Sequence, residues 1–167
     1  MSSTASAKVA AEEEEKKELL GRTIAIAVDD SDFSESAFQW YMNNLQRKDD
    51  FLVLIHCPEF YDFAMASSSV VEQLLVELEQ RVNALEQKYR EKLQMLKIKG
   101  KFRTGAGKPG EVIVDIAKQE NVVMIITGTR GQGKLRRTLL GSVSDYVVHH
   151  APMPVLVCRL NGSTHTD

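Results

Sequence analysis

The chain is poor in the features that mark secreted, membrane-spanning or nucleic-acid-binding proteins. Its 167 residues hold 2 cysteines, Cys57 and Cys158. That is too few for a disulfide framework, and both lie inside apolar runs, as buried free thiols of a reducing compartment would. No apolar run approaches the ~20 residues that a helix needs to cross a bilayer. Near the start, residues 12–15 form an acidic run, where a secretory signal would carry a basic patch followed by an apolar stretch. Nor is one charge in excess: 21 Lys and Arg face 23 Asp and Glu, a formal net charge of -2. Without a global basic field to attract nucleic acid or an anionic membrane, any anion site has to be local. These absences lead to the expectation of a cytoplasmic protein with no nucleic acid and no membrane among its partners.

What is present suits one globular domain, with 43% hydrophobic and 26% charged residues. Residues 1–20 begin small, polar and charged and cannot bury enough apolar surface to offset their ordering entropy. They read as a solvated tail, or as a segment for a protein partner whose identity the sequence leaves open. Residues 21–160 read as the folded domain and 161–167 as a short polar tail.

Ile24-Ala25-Ile26-Ala27-Val28 is an unbroken apolar run, the mark of a strand covered on both faces. Phe51 to Cys57 and Val122 to Ile126 repeat it, and Val155 to Cys158 does so in shorter form. Between the runs the period becomes helical. Asp32-Phe33-Ser34-Glu35 reads as a capping box with Asp32 at the N-cap, opening a helix to about Gln46. Trp40 and Tyr41 read as core residues of that helix. Val71, Leu74, Leu78, Val82, Leu85, Tyr89, Leu93 and Leu96 make one apolar stripe, which suits a long helix lying across a sheet and, secondarily, a coiled coil. Gly100 to Thr104 is a polar strand candidate. Pro109 opens a helix with Val112, Ile113, Ile116 and Ala117 on one face, and Val143 to His149 reads as the last helix. The alternation predicts an α/β fold: a single domain with a five-stranded parallel sheet, order 3-2-1-4-5, and helices on both faces. A ligand of such a sheet sits beyond the carboxyl ends of the strands, where the strand order reverses.

The segment after the fourth strand concentrates the chemistry. Gly128, Gly131, Gly133 and Gly141 let backbone N–H groups approach a ligand. Arg130, Lys134, Arg136 and Arg137 add positive charge, and Ser142 and Ser144 stand near a helix N-terminus, which favours an anion. Together they describe a polyphosphate cradle. It is not a P-loop, because Leu135 follows Lys134 where Ser or Thr would hold Mg²⁺. Nor is it a dinucleotide fingerprint, because Ala27-Val28-Asp29-Asp30 contains no glycine.

The spacing that does fit is Gly128, two residues, Gly131, nine residues, then Gly141-Ser142. With Val28-Asp29-Asp30-Ser31, Leu54-Ile55-His56, the segment Gly141 to Val148, and Pro152 before Pro154-Val155-Leu156-Val157, it makes residues 22–159 resemble the universal stress protein family, in its ATP-binding branch with the G-x2-G-x9-G-[ST] motif. The resemblance implies ATP, or else AMP or ADP, as ligand, with Mg²⁺ as a phosphate-bound counter-ion and no metal site of the protein's own. It implies Asp29 beside the ribose, Ala27 and Val28 along the adenine, and Cys57 reaching the base through backbone atoms. Gly128, Gly131, Gly141, Ser142, Val143 and Ser144 would surround the phosphates, with Arg130 the loop cation placed among them. Ala27 departs from the proline of some relatives and leaves the adenine wall less rigid. The resemblance also implies a homodimer through the last strand, residues 154–159, whose apolar side would otherwise be an open sheet edge.

Each of these residues has a plainer reading. Asp29 could cap the helix, Cys57 could be a small core residue, and the cations could form a solvated face. His56 reads as a hydrogen-bonded core histidine. His149 and His150 face different ways on a helix and do not suit a shared metal site. The expected function is a nucleotide-dependent regulatory or stress-response module with little or no turnover and no catalytic residue. The alternative is a slow ATPase or nucleotidyl-transfer enzyme on a related α/β fold. Against it stands the lack of a paired base and nucleophile beside the phosphate loop.

Overall fold

An apolar run without polar alternation is a strand covered on both faces, and the computed structural model, which describes residues 21–59, 63–129 and 140–159, covers these runs that way. Among the described residues five strands, β1 (Thr23–Ala27), β2 (Phe51–His56), β3 (Lys99–Thr104), β4 (Met124–Gly128) and β5 (Val155–Cys158), alternate with four helices. The helices are α1 (Asp32–Asn44), α2 (Ser68–Met95), α3 (Pro109–Gln119) and α4 (Ser142–His150). The strands pair in parallel in the order β3-β2-β1-β4-β5, as expected. Successive side chains of a strand point to opposite faces. Ile24 and Ile26 of β1 therefore pack with Phe38 and Tyr41 of α1 and with Leu85, Tyr89 and Leu93 of α2. Ala25 and Ala27 pack on the other side with Ile113, Val114 and Ala117 of α3 and Val147 of α4. The chain walks one way from β1 with helices on one face, then returns past β1 to β4 with helices on the other.

Four sequence expectations need correction. The fourth strand runs from Met124 to Gly128, two residues later than Val122 to Ile126, because a left-handed residue, Asn121 with φ 50°, still belongs to the exit from α3. Val122 donates back to the Ala117 carbonyl there, so its apolar side chain packs without joining the ladder. The N-cap of α1 is Ser31, whose hydroxyl accepts from the Ser34 N–H at 3.2 Å. Glu35 makes no capping box and is held by Lys88 and Lys92 of α2. Burial alone would raise the Glu35 carboxyl, but those two ammonium groups keep it below the usual range. Trp40 is exposed while Tyr41 is fully buried.

The stripe on α2 is only partly covered. At ~1.5 Å per residue a helix of 28 residues is ~42 Å long, about twice a six-residue strand. Leu85, Tyr89 and Leu93 are buried where α2 crosses the sheet, whereas Val71, Leu74, Leu78 and Val82 lie along the part that outruns it and are half-buried.

The amino ends of β1 and β2 are held by a buried carboxylate. Asp50 is 3% exposed and accepts from Arg22 Nε at 2.8 Å and Nη2 at 2.7 Å, from the Tyr41 hydroxyl at 2.5 Å, and from the Arg47 N–H at 2.9 Å. Arg22 Nη2 also donates to the Leu45 carbonyl, so the start of β1, the end of α1 and the approach to β2 share one charge pair. Burial opposes ionisation of Asp50, but the bonds from Arg22, Tyr41 and Arg47 outweigh it and hold its carboxyl below the ordinary value. Because the folded value lies under the unfolded one, this stabilisation is complete above the unfolded pKa of ~3.9 and is lost as pH falls through the folded value. Asp50→Asn leaves Arg22 without its counter-charge and is expected to cost ~3 kcal/mol at pH 7. Urea unfolding between pH 2 and 7 should show the wild type losing stability towards acid with a steeper slope than the variant. Parallel curves would remove the assigned role of this carboxylate.

Candidate functional site

The strand order reverses between β2-β1 and β4-β5, so the carboxyl ends of β1 and β4 lead their chains to opposite faces and leave a crevice. Three walls of it lie within the described residues. The first is the turn from β1 into α1. Asp29 is half-buried and its Oδ1 accepts from the Ser31 N–H at 2.8 Å and from the Ser31 hydroxyl. Ser34, buried, donates its hydroxyl to the Asp29 carbonyl at 2.8 Å and accepts from the Asp29 N–H at 3.1 Å. Asp29 therefore does serve the turn, through one carboxylate oxygen. Beneath this turn Phe38 meets Tyr89 of α2 edge-on, and burial pushes the Tyr89 hydroxyl up to about 12.

The second wall is the exit from β4. Gly128 is buried, and a Cβ there would stand 2.7 Å from the carbonyl oxygen of Phe33. Its need for glycine is met by the close approach of β4 to the first turn of α1. Thr129 donates to the Cys158 carbonyl, and its own carbonyl accepts from the Gly141 N–H at 2.5 Å and from the Ser144 hydroxyl at 3.0 Å. The same hydroxyl lies 3.0 Å from the Gly141 carbonyl. Both ends of the connection 130–139 are thus drawn together at one point. Gly141 is the N-cap of α4 with φ -72° and ψ 162°, and among the described residues no side chain caps the helix. Ser142 is exposed, Val143 half-buried and Ser144 buried. The open N–H groups of this helix start are a general anion-binding feature. Arg130 and Gly131, with Gly133, Lys134, Arg136 and Arg137, lie outside the described residues.

The third wall is the end of β2. Ala27 and Val28 are buried in β1 and its exit, and Val28 N–H donates to the Ile55 carbonyl at 2.9 Å. His56 Nδ1 lies 2.8 Å from the Val28 carbonyl. Cys57 is half-buried, not fully buried as its apolar surroundings had suggested, and its thiol donates to the Gly107 carbonyl at 3.4 Å. Burial raises the pKa of both thiols, so neither has the thiolate character of a nucleophile. Among the described residues no group of three or more His, Cys, Asp or Glu could hold a metal ion. His149 and His150 each sit 2.8 Å from a backbone carbonyl one turn back, those of Asp145 and Tyr146.

The sequence reading missed Ser31, Ser34 and the Thr129 carbonyl as the parts that shape these walls. Ser31 standing three residues before Ser34 was the available signal for the cap. The Thr129 contact joins residues 15 apart and has no local signature.

An open parallel sheet with this strand order and its switch point between β1 and β4 defines a doubly wound α/β class. Residues 21–159 match the universal stress protein family, to which the chain belongs. It is 27% identical over 148 residues to the universal stress protein Sll1388 of Synechocystis, covering 81% of this chain and 96% of that one. The fold superposes on that of hypothetical protein MJ0577 with a TM-score of 0.76 at 26% identity, covering 86% of this chain and 99% of the other. A family protein of Arabidopsis thaliana, solved with AMP bound, has the same fold at 20% identity, with a TM-score of 0.63 over 84% of this chain and 93% of that one. Among the described residues no helix is long and apolar enough to cross a membrane.

If Ser144 pins the stem of the connection, Ser144→Ala removes a buried hydroxyl bond to the Thr129 carbonyl, which keeps only the Gly141 N–H, and should cost ~1–1.5 kcal/mol. Thermal unfolding is expected to show a midpoint lower by ~3–6 °C for a domain of this size. An unchanged midpoint would show that the stem holds without the hydroxyl.

Proposed function

We propose that the protein binds ATP at this crevice, as a member of the ATP-binding branch of its family, and acts as a nucleotide-dependent regulatory module of the stress response. AMP and ADP are the alternative ligands of the same site. The observation that carries the reading is the meeting of Thr129, Gly141 and Ser144, which brings the two described ends of the G-x2-G-x9-G-[ST] spacing together at the open N-terminus of α4. A triphosphate suits such a place: backbone N–H groups and a helix dipole favour the anion, and the cations of the connection add charge. The AMP of the Arabidopsis relative supports an adenine nucleotide.

In this reading Asp29 keeps one carboxylate oxygen on its own turn and offers the other to the ribose. Ala27 and Val28 line the base, and Cys57 meets it through its peptide. Gly128, Arg130, Gly131, Gly141, Ser142, Val143 and Ser144 surround the phosphates, with Mg²⁺ riding on the nucleotide. Gly141→Val places a branched side chain where the phosphates pass. Calorimetric titration should find ATP binding abolished in the folded variant, whereas Lys134→Ala should weaken it by ~10- to 100-fold, the worth of one charge-assisted bond. Unchanged affinity in folded Gly141→Val would defeat the site.

A homodimer through β5 belongs to the same proposal. The two sheet edges differ in character. β3 carries Lys99, Lys101 and Arg103 at alternate positions, the last two paired with Glu120. Charges of this kind keep an edge single. β5 presents half-buried Val155, Leu156 and Val157 instead, and antiparallel pairing with a second β5 would satisfy it. Light scattering should report a dimer for the wild type and a shift towards monomer for Val157→Asp. A monomeric wild type would remove the dimer.

A further inference from the structure

Two parallel strands normally keep zipping as long as their backbones run side by side. The β1–β2 ladder is in register from Thr23↔Phe51 to Ala27↔Ile55, and the Val28 N–H extends it by one bond to the Ile55 carbonyl. The next rung of the same register is the Cys57 N–H donating to the Val28 carbonyl. That rung is not made. The His56 ring takes the place instead, with Nδ1 2.8 Å from the Val28 carbonyl. A carbonyl only accepts, so Nδ1 is the protonated nitrogen of this tautomer. The ring is held in position beside Phe102 of β3, at 6.3 Å between centroids. Among the described residues the Cys57 N–H then has no backbone partner, while the Cys57 side chain is tied off to the Gly107 carbonyl.

We infer that His56 is a positioning residue which stops the β1–β2 ladder one rung early and so leaves the Cys57 peptide free to read a base. The inference rests on the nucleotide reading of the crevice. In a parallel pair the N–H and C=O of one residue point to the same neighbouring strand, so the freed Cys57 groups face the gap beyond the end of β1. A peptide N–H beside a C=O matches the edge of adenine, whose N1 accepts and whose N6 amine donates. It opposes hypoxanthine and guanine, whose N1–H donates and whose O6 accepts. A base that meets donor with donor leaves buried groups unpaired, which is how such edges discriminate. With the rung closed, the Cys57 N–H is spent inside the protein and the discrimination goes.

Two variants separate this role from simple packing. In His56→Asn the side-chain amide nitrogen stands where Nδ1 stands in histidine, so the bond to Val28 is kept. In His56→Leu the space beside Phe102 is filled but the donor is gone. Backbone amide exchange by NMR on the ligand-free protein is expected to find the Cys57 N–H fast in wild type and His56→Asn, and slowed at least about tenfold in His56→Leu as the rung closes. Titration with ATP and ITP is expected to show a preference for ATP of at least about tenfold in wild type and His56→Asn, collapsing to near unity in His56→Leu, while binding of inorganic tripolyphosphate stays the same in all three. A Cys57 amide already protected in the wild type, or equal exchange in the Leu variant, overturns the role of the imidazole. So does an ATP-to-ITP ratio that His56→Leu leaves untouched. A wild type that binds neither nucleotide overturns the base reading together with the nucleotide proposal, and the exchange result then still decides whether His56 stops the ladder.

Discussion

The position at which the parallel ladder around β1 stops is the constraint on which the rest of the site depends. Among the described strands β1 lies at the switch point, with β2 reached by way of α1 on one face of the sheet and β4 by way of α3 on the other. While the ladder lasts, every backbone group is used and no ligand can enter. Where it ends, the turn from β1 into α1 meets the exit from β4 through Gly128 and Phe33 and the end of β2 through His56, and among the described residues the Cys57 N–H is left without a backbone partner. The imidazole on the Val28 carbonyl and the Gly141 N–H on the Thr129 carbonyl are the two contacts that set the ends on either side.

The two ends of the sheet are secured by different physics. At the amino end a buried carboxylate collects four donors around one charge, an arrangement that is stiff because removing any partner strands a charge in a dry place. At the carboxyl end the contacts are separate ones: Ser31 on the Asp29 carboxylate, the His56 ring on the Val28 carbonyl, and the Gly141 N–H and Ser144 hydroxyl on the Thr129 carbonyl, a neutral bond of this kind being worth ~1 kcal/mol. The amino end of the sheet thus rests on one buried charge and the carboxyl end on a set of smaller contacts.

The sheet edges repeat this division of labour in side-chain chemistry. Alternating cations on β3, neutralised in part by Glu120, make an edge that water solvates and that disfavours pairing with a second strand. The apolar residues of β5 leave the opposite edge open to pairing. Close to it, Gly128 of β4 and Phe33 of α1 are in backbone contact, so the strand next to β5 also carries the wall of the crevice.

The class of fold, the order of its elements and the general place of the site were legible in the sequence, since apolar runs covered on both faces and a 3.6-residue period are local signals. The spacing from Gly128 to Gly141-Ser142 was legible for the same reason. The N-cap of α1 was misread by one residue because Ser31 and Asp32 are both good caps, and only the hydrogen bond from Ser34 chooses between them. The start of β4 was misread because Val122 is apolar through packing against α3, without being in the ladder. Tertiary structure alone decided that Asp29 turns one oxygen inward to Ser31, that Gly128 is needed by Phe33, that Ser144 closes on Thr129, and that His56 replaces a rung between β1 and β2. Each of these joins atoms whose closeness depends on strand order and register, and no window of neighbouring residues contains that information.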